Sequence, residues 1–292
     1  MRRFMAIART AAIETMSQPL SAILFPVAML AIHLLPAFQY HRFGAAGRLA
    51  RETGLSALFV FGLFFAVPAV VRVIGRELET GTAAAALALG VSRSLYFMAR
   101  LTGTLIVFLL FLFAVAAATA LSSFSCLKAS TIFSQAGVVR VWGPAILVGV
   151  AGSLAPFGVA ALLNRFANGR FCLWTCLLTV LFQLPGLALL EDASPLRVMA
   201  PALGALAAAC IVYVAMAGAL STRLKSNGVT ACVVLAVLAG FLSPVKFLAP
   251  DMRVFWLEEG STAAGGPILA GAALAALWLL IGCISMERKE LE

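Results

Sequence analysis

Charged residues are scarce in this 292-residue chain, so the place where they crowd together is the first place to look for chemistry. That place is Arg72–Gly103, RVIGRELETGTAAAALALGVSRSLYFMARLTG, a charged and helix-favouring interlude between two long apolar runs. Glu77 and Glu79 are followed by Gly81 and Thr82, then by the apolar stretch Ala83–Leu89, which includes Leu87, and then by Gly90, Ser92 and Arg93. Covalent catalysis is a poor fit. A hydrolase or metal enzyme needs a nucleophile with its base, or several converging ligands, and the chain has only two histidines, His33 and His41. A GxxxxGK[ST] phosphate loop is also missing from the sequence, so any nucleoside triphosphate must be handled by another chain. What remains is either recognition or a solvated loop whose alanines skim the headgroups. An apolar knob ringed with charge gains affinity from burial and register from its rim.

The spacing specifies a mechanical layout. Glu77 and Glu79 project from the end of one long helix, and Gly81 permits a sharp reversal. Thr82 is placed to cap a new helix by accepting a backbone N–H bond. Ala83–Leu89 favours helix but at about 1.5 Å per residue reaches only about 10 Å, so it lies on or outside a membrane rather than across it. Gly90 ends it, Ser92 caps the next helix, and Arg93 and Arg100 sit at the entry of the following apolar run.

The elements holding this segment follow from composition. Hydrophobic residues make up 63% of the chain and charged residues 11%, with a mean hydropathy of +1.05. Soluble globular chains run about 25% charged, and burying so much apolar surface in water would leave large exposed patches. The solvent is a bilayer. Continuous apolar runs such as Thr104–Leu121 exclude the alternating pattern of an outer-membrane barrel, leaving an all-α, polytopic integral membrane protein. Eight runs read as transmembrane helices, at 18–38, 54–74, 97–121, 141–163, 172–190, 198–220, 229–247 and 264–285. The weakest is 229–247, which runs into Ser243, Pro244 and Lys246. The whole chain, 1–292, reads as a single transmembrane domain.

Residues 2–16 lack the apolar core and cleavage site of a removable signal peptide and read as an interfacial amphipathic helix. Phe4, Met5, Ile7, Ala8, Ala11, Ala12 and Met16 share one half of it, and Arg2, Arg3, Arg9, Thr10 and Glu14 the other. In the eight-helix parse, eight of the 21 Lys and Arg (Arg42, Arg48, Arg51, Lys128, Arg140, Arg197, Lys246 and Arg253) fall on one side and thirteen on the other. The basic side is expected to be cytoplasmic, with both termini there. The net charge of +9 is loop bias of this kind, and no basic stripe interleaved with aromatics suggests nucleic acid. Two basic turns, ALLNRFANG at Ala161–Gly169 and ALSTRLKSNG at Ala219–Gly228, read as ordinary Asn-Gly turns.

Inside the apolar runs the inventory is thin. None contains Asp or Glu, which weighs against ion-coupled transport. His33 lines a pathway or, more plainly, makes a hydrogen bond between helices. Cys172, Cys176, Cys210, Cys232 and Cys283 act as small hydrophobes, Cys126 lies near a loop, and no disulfide framework is implied.

The segment Glu77-Leu78-Glu79-Thr80-Gly81-Thr82, then Gly90-Val91-Ser92-Arg93, then Tyr96 and Gly103, resembles a known pattern. It is similar to the E-x-E-x-G-T, short helix, P-V-S-R, aromatic and glycine of permease subunits of ATP-binding-cassette (ABC) exporters of the type-two class. The likeness covers about 27 residues and departs at Gly90, where that family usually has proline. The family commonly has six crossings rather than eight. The resemblance implies a non-enzymatic transport subunit in a bacterial inner membrane. It would pair with a second permease copy or a paralogue and with two separate ABC ATPase subunits, which bind the ATP. It makes 76–93 a coupling segment: Glu77 and Glu79 meet the ATPase, Gly81 and Thr82 set the turn, Ala83–Leu89 with Leu87 fill its groove, and Ser92 and Arg93 fix the exit. The rival expectation is an ATP-independent carrier or a structural anchor of a membrane complex.

Overall fold

The computed structural model describes residues 1–38, 46–88, 90–136, 144–166, 170–188, 194–242, 252, 256 and 263–289. His41, Leu89, Asn168, Gly169 and the 243–247 end of the seventh run lie outside the described residues.

Among the described residues each apolar run is helical, because within hydrocarbon each backbone N–H and C=O must be satisfied inside its own segment. In chain order these are α1 (Arg2–Met16), α2 (Pro19–Phe38), α3 (Ala46–Val70), a π-helical turn (Val71–Gly75), α4 (Arg76–Glu79), α5 (Thr82–Ala88), α6 (Arg93–Ala136), α7 (Pro144–Phe166), α8 (Phe171–Ala188), α9 (Ser194–Ser221), α10 (Ser226–Leu242) and α11 (Gly265–Glu287). Among the described residues, six helical stretches are long and apolar enough to cross a membrane: Pro19–Pro36, Arg48–Glu79, Arg93–Phe124, Leu147–Phe166, Leu196–Ser221 and Gly265–Glu287. The chain is therefore an all-α, multi-pass membrane protein. The other two of the eight expected crossings are helical but shorter, Phe171–Pro185 and Ser226–Phe241. The 17 residues of α10 reach about 26 Å at about 1.5 Å each, short of the roughly 30 Å hydrocarbon layer. Large apolar side chains exposed along the helices, including Phe64, Leu109, Leu235, Leu269 and Leu280, suit lipid contact.

The chain divides into two compact units. Unit 2 comprises Met16–Phe61 and Leu110–Leu203. Its helices α2, α7 and α8 pack against one another, and close approach depends on glycine. A Cβ on Gly149 would fall 2.4 Å from His33 Nδ1, and one on Gly152 would fall 3.1 Å from the Phe182 carbonyl oxygen. His33 is buried, with Nε2 3.4 Å from Gln183 Oε1, so it does hydrogen-bond between helices. Phe25 meets Phe111 edge-on at 5.0 Å, and the Ser122 hydroxyl donates to the Ile32 carbonyl at 3.0 Å. Cys176 is buried and Cys172 half-buried, both as free thiols.

Unit 1 comprises Met1–Thr15, Gly62–Leu109 and Gly204–Glu292. Here α1 seats on α6 through small residues. A Cβ on Gly103 would meet the Ala8 carbonyl oxygen at 2.2 Å and the Ala11 Cβ at 2.6 Å. The buried stripe of α1 is accordingly Ala8, Ala11, Ala12 and Thr15. Met5, on the apolar half of the helix, is 59% exposed, because the contact with α6 takes the small residues of that half. Gly218 faces Leu101, and Gly282 faces the Phe97 ring, where a Cβ would come within 2.4 Å. The effect is to set the ends of α1, α4, α6, α9, α10 and α11 beside one another around the 76–93 segment.

Candidate functional site at one end of unit 1

The segment begins where α3 loses its regular hydrogen-bond register. Pro68 supplies no N–H to the helix, and three residues later the backbone widens into the π turn, whose last bond runs from the Arg76 N–H to the Val71 carbonyl. Single π turns of this kind are frequently found at functional positions. One further helical turn, α4, buries Leu78 and leads to the reversal.

Both glycines read as punctuation take the left-handed backbone conformation that side chains disfavour: Gly81 has φ +72° and Gly90 φ +75°. Between them α5 rests on Ala83, which is fully buried. Ala85 and Ala88 face outward, while Ala84, Ala86 and Leu87 are half-buried. The rod expected over Ala83–Leu89 is thus present as Thr82–Ala88, at the surface and not enclosed by spanning helices.

The polar residues are arranged differently from the expectation. Glu77 does not project. Its carboxylate forms an ion pair with the Arg100 guanidinium, whose Nε lies 2.7 Å from Oε2, and it also accepts a short hydrogen bond from the Tyr96 hydroxyl. Arg100 reaches on to Glu14 of α1, Nη1 to Oε2 at 3.1 Å. Its side chain is 5% exposed, against 20% for Glu77 and 36% for Glu14. Arg100 therefore ties α1, α4 and α6 together, assisted by Thr15 and Thr104, whose hydroxyl oxygens lie 3.4 Å apart. Glu79 is exposed, yet its carboxylate accepts the Ser226 N–H at 3.2 Å, linking α4 to the start of α10.

Thr82 is corrected in the same way. Its hydroxyl donates to the Glu77 carbonyl at 3.3 Å and lies 3.1 Å from the Thr80 hydroxyl. It closes the turn backwards onto α4 instead of accepting an N–H from α5, because the reversal at Gly81 brings the unpaired carbonyls at the end of α4 within reach. Ser92 stands where a cap was expected, its carbonyl accepting the Tyr96 N–H at 3.0 Å. Arg93 donates to the carbonyls of Glu287, at 3.0 Å, and Lys289, which fastens the start of α6 to the end of α11. Arg3 donates to the Gly90 carbonyl at 3.1 Å. Thr222 and Arg223 both donate to the Ser285 hydroxyl, at 2.7 Å and 2.8 Å. Burial, with Arg223 beside it, pushes the Lys289 ammonium below the usual lysine range, and Glu79 partly offsets this.

Arg3, Arg93, Arg223 and Lys289, all assigned by the sequence to one side of the bilayer, thus gather at one end of unit 1. Sequence reasoning missed Arg100 as the hub and Glu14 as its second partner. The available signal was an arginine inside an apolar helix, which demands a carboxylate. Among the described residues no cluster of three or more His, Cys, Asp or Glu is arranged to hold a metal ion.

No family model matches the chain, and no curated protein or solved structure matches it significantly.

Proposed function

We propose that this chain is a permease subunit of an ABC exporter of the type-two class, residing in a bacterial inner membrane with α5 and both termini facing the cytoplasm. It works with a second permease copy and two ATPase subunits that hydrolyse ATP. The observation carrying this reading is α5 itself, a seven-residue surface rod held between two left-handed glycines at the ends of two spanning helices. A rod fixed at both ends transmits displacement, where a solvated loop would absorb it. The outward-facing Ala85 and Ala88, with Leu87 beside them, are the contact face for the ATPase groove, and Gly81, Thr82, Ser92 and Arg93 shape the turns on either side.

Glu77 takes a new part. With its carboxylate committed to Arg100, it passes load from the turn into α6 and α1, and Glu79 does the same toward α10. The test is Ala85→Trp with Ala88→Trp, placed on exposed positions so that insertion and folding are preserved. The expected outcome is loss of ATPase co-purification at normal membrane yield. An ATPase that still co-purifies with the doubly substituted chain refutes α5 as the contact.

A further inference from the structure

A second feature of the same end of unit 1 is independent of the ATPase reading. Between the start of α1 and the turn entering α6 lies an open cavity of about 570 Å³, lined by Arg2, Arg3, Phe4, Val91, Ser92 and Leu95 among others. Among the described residues its charged side chains are cationic, those of the consecutive Arg2 and Arg3, and Ser92 lies beside them. Arg3 is fixed at the rim by its bond to the Gly90 carbonyl at 3.1 Å. The remaining walls are apolar, from Phe4, Val91 and Leu95.

We infer that this cavity binds the phosphate of an anionic phospholipid headgroup, with the guanidiniums of Arg2 and Arg3 on the phosphate and the apolar walls on the glycerol and first acyl carbons. Guanidinium is suited to phosphate because its planar fork gives paired charge-assisted bonds. The position matches. Arg93 begins the stretch of α6 that is long and apolar enough to cross a membrane, so the cavity lies beside the start of a spanning helix. The neighbouring Met5 and Ile13 of α1 also leave apolar side chains exposed. A free phosphate ion would use the arginines but leave the apolar walls without a partner, which favours the lipid as the source of the phosphate. Occupancy would join α1 to the Gly90 turn and so hold the exit of α5 in place.

The experiment is native mass spectrometry of the full chain released from detergent and titrated separately with dioleoylphosphatidylglycerol, dioleoylphosphatidylcholine and inorganic phosphate. Phosphatidylglycerol is expected to be retained in preference to phosphatidylcholine. Arg2→Gln, which spares the Arg3 tether, is expected to weaken that retention about tenfold, the effect of removing one hydrogen-bonding charge. Val91→Trp narrows the cavity without changing charge and is expected to weaken retention. Arg9→Gln, on the same helix but outside the cavity, is expected to leave it unchanged. Equal retention of the two lipids, an Arg9→Gln effect as large as that of Arg2→Gln, or undiminished binding in Val91→Trp would each overturn the proposal. Displacement of the lipid by inorganic phosphate at equal concentration would overturn the lipid as the source.

Discussion

Replacing Arg100 by Met removes the cation from a nearly closed cluster and leaves the Glu77 carboxylate, 20% exposed, with Tyr96 as its remaining side-chain donor at this site. Breaking a buried pair from one side strands a charge and costs about 3–5 kcal/mol. Removing both charges, in Arg100→Met with Glu77→Leu, strands none at that pair, and such replacements are close to neutral, within about 1 kcal/mol. Glu14 is 36% exposed, so water screens its bond to Arg100 and Glu14→Gln is expected to cost only about 0.2–1 kcal/mol. The order of stability is therefore wild type first, Glu14→Gln and the double variant, which also loses the Glu14 bond, each within about 1 kcal/mol below it, and Arg100→Met well below all three. Reversible unfolding in mixed dodecyl sulfate micelles, followed by tryptophan fluorescence, measures these differences. If the double variant is as unstable as Arg100→Met, the cost lies in lost packing around the arginine stem and the ion-pair argument fails. A Glu14→Gln loss equal to that of Arg100→Met would equally refute the ranking by exposure.

Three further expectations follow from the same contacts. Nothing lies within 4 Å of a Cβ at Gly81, so Gly81→Val is expected to cost about 1–2 kcal/mol through the left-handed backbone alone, and Gly81→Asn clearly less, in the same micelle assay. Gly103→Ala drives a methyl to 2.2 Å from the Ala8 carbonyl oxygen. It is expected to loosen α1 and speed trypsin cleavage after Arg9, with unchanged cleavage counting against the seating described. Gly149→Ala collides with the His33 ring at 2.4 Å and is expected to lower the melting temperature, whereas adding His33→Ala to it is expected to restore part of the loss.

What could be read from the sequence was whatever depends on neighbours along the chain. Apolar run length located the helices, and glycine at the two ends of an alanine-rich stretch located the turns, because each is a local property of backbone and solvent. The partner of Arg100 was not local. Glu14 is 86 residues away in sequence, and the choice between Glu77 and Glu79 depends on which of them the helical turn α4 aims at α6. The direction of the Thr82 hydrogen bond was equally hidden, since donor and acceptor roles were decided by a carbonyl that only the reversal brings near. In α1 the apolar residues were visible, but not that Gly103 would draw the backbones together and so select Ala8 and Ala11 for the interior over Met5.

The ties at each end of α5 constrain any motion of that rod. Glycines usually provide hinges, and Gly81 and Gly90 taken alone would let α5 swing freely between α4 and α6. The hydroxyl of Thr82 on the Glu77 carbonyl stiffens the first turn, and Arg3 on the Gly90 carbonyl stiffens the second. Beyond them, Glu79 holds the start of α10 and Arg93 holds the end of α11. A force applied at Ala85 and Ala88 is thus opposed at both glycines and passes to α3 and α6 together, with α1 carried along through Arg100 and Glu14. Under the proposed function, ATPase closure would move this end of unit 1 as one piece, and variants that loosen either tie would uncouple hydrolysis from transport while leaving ATPase binding intact.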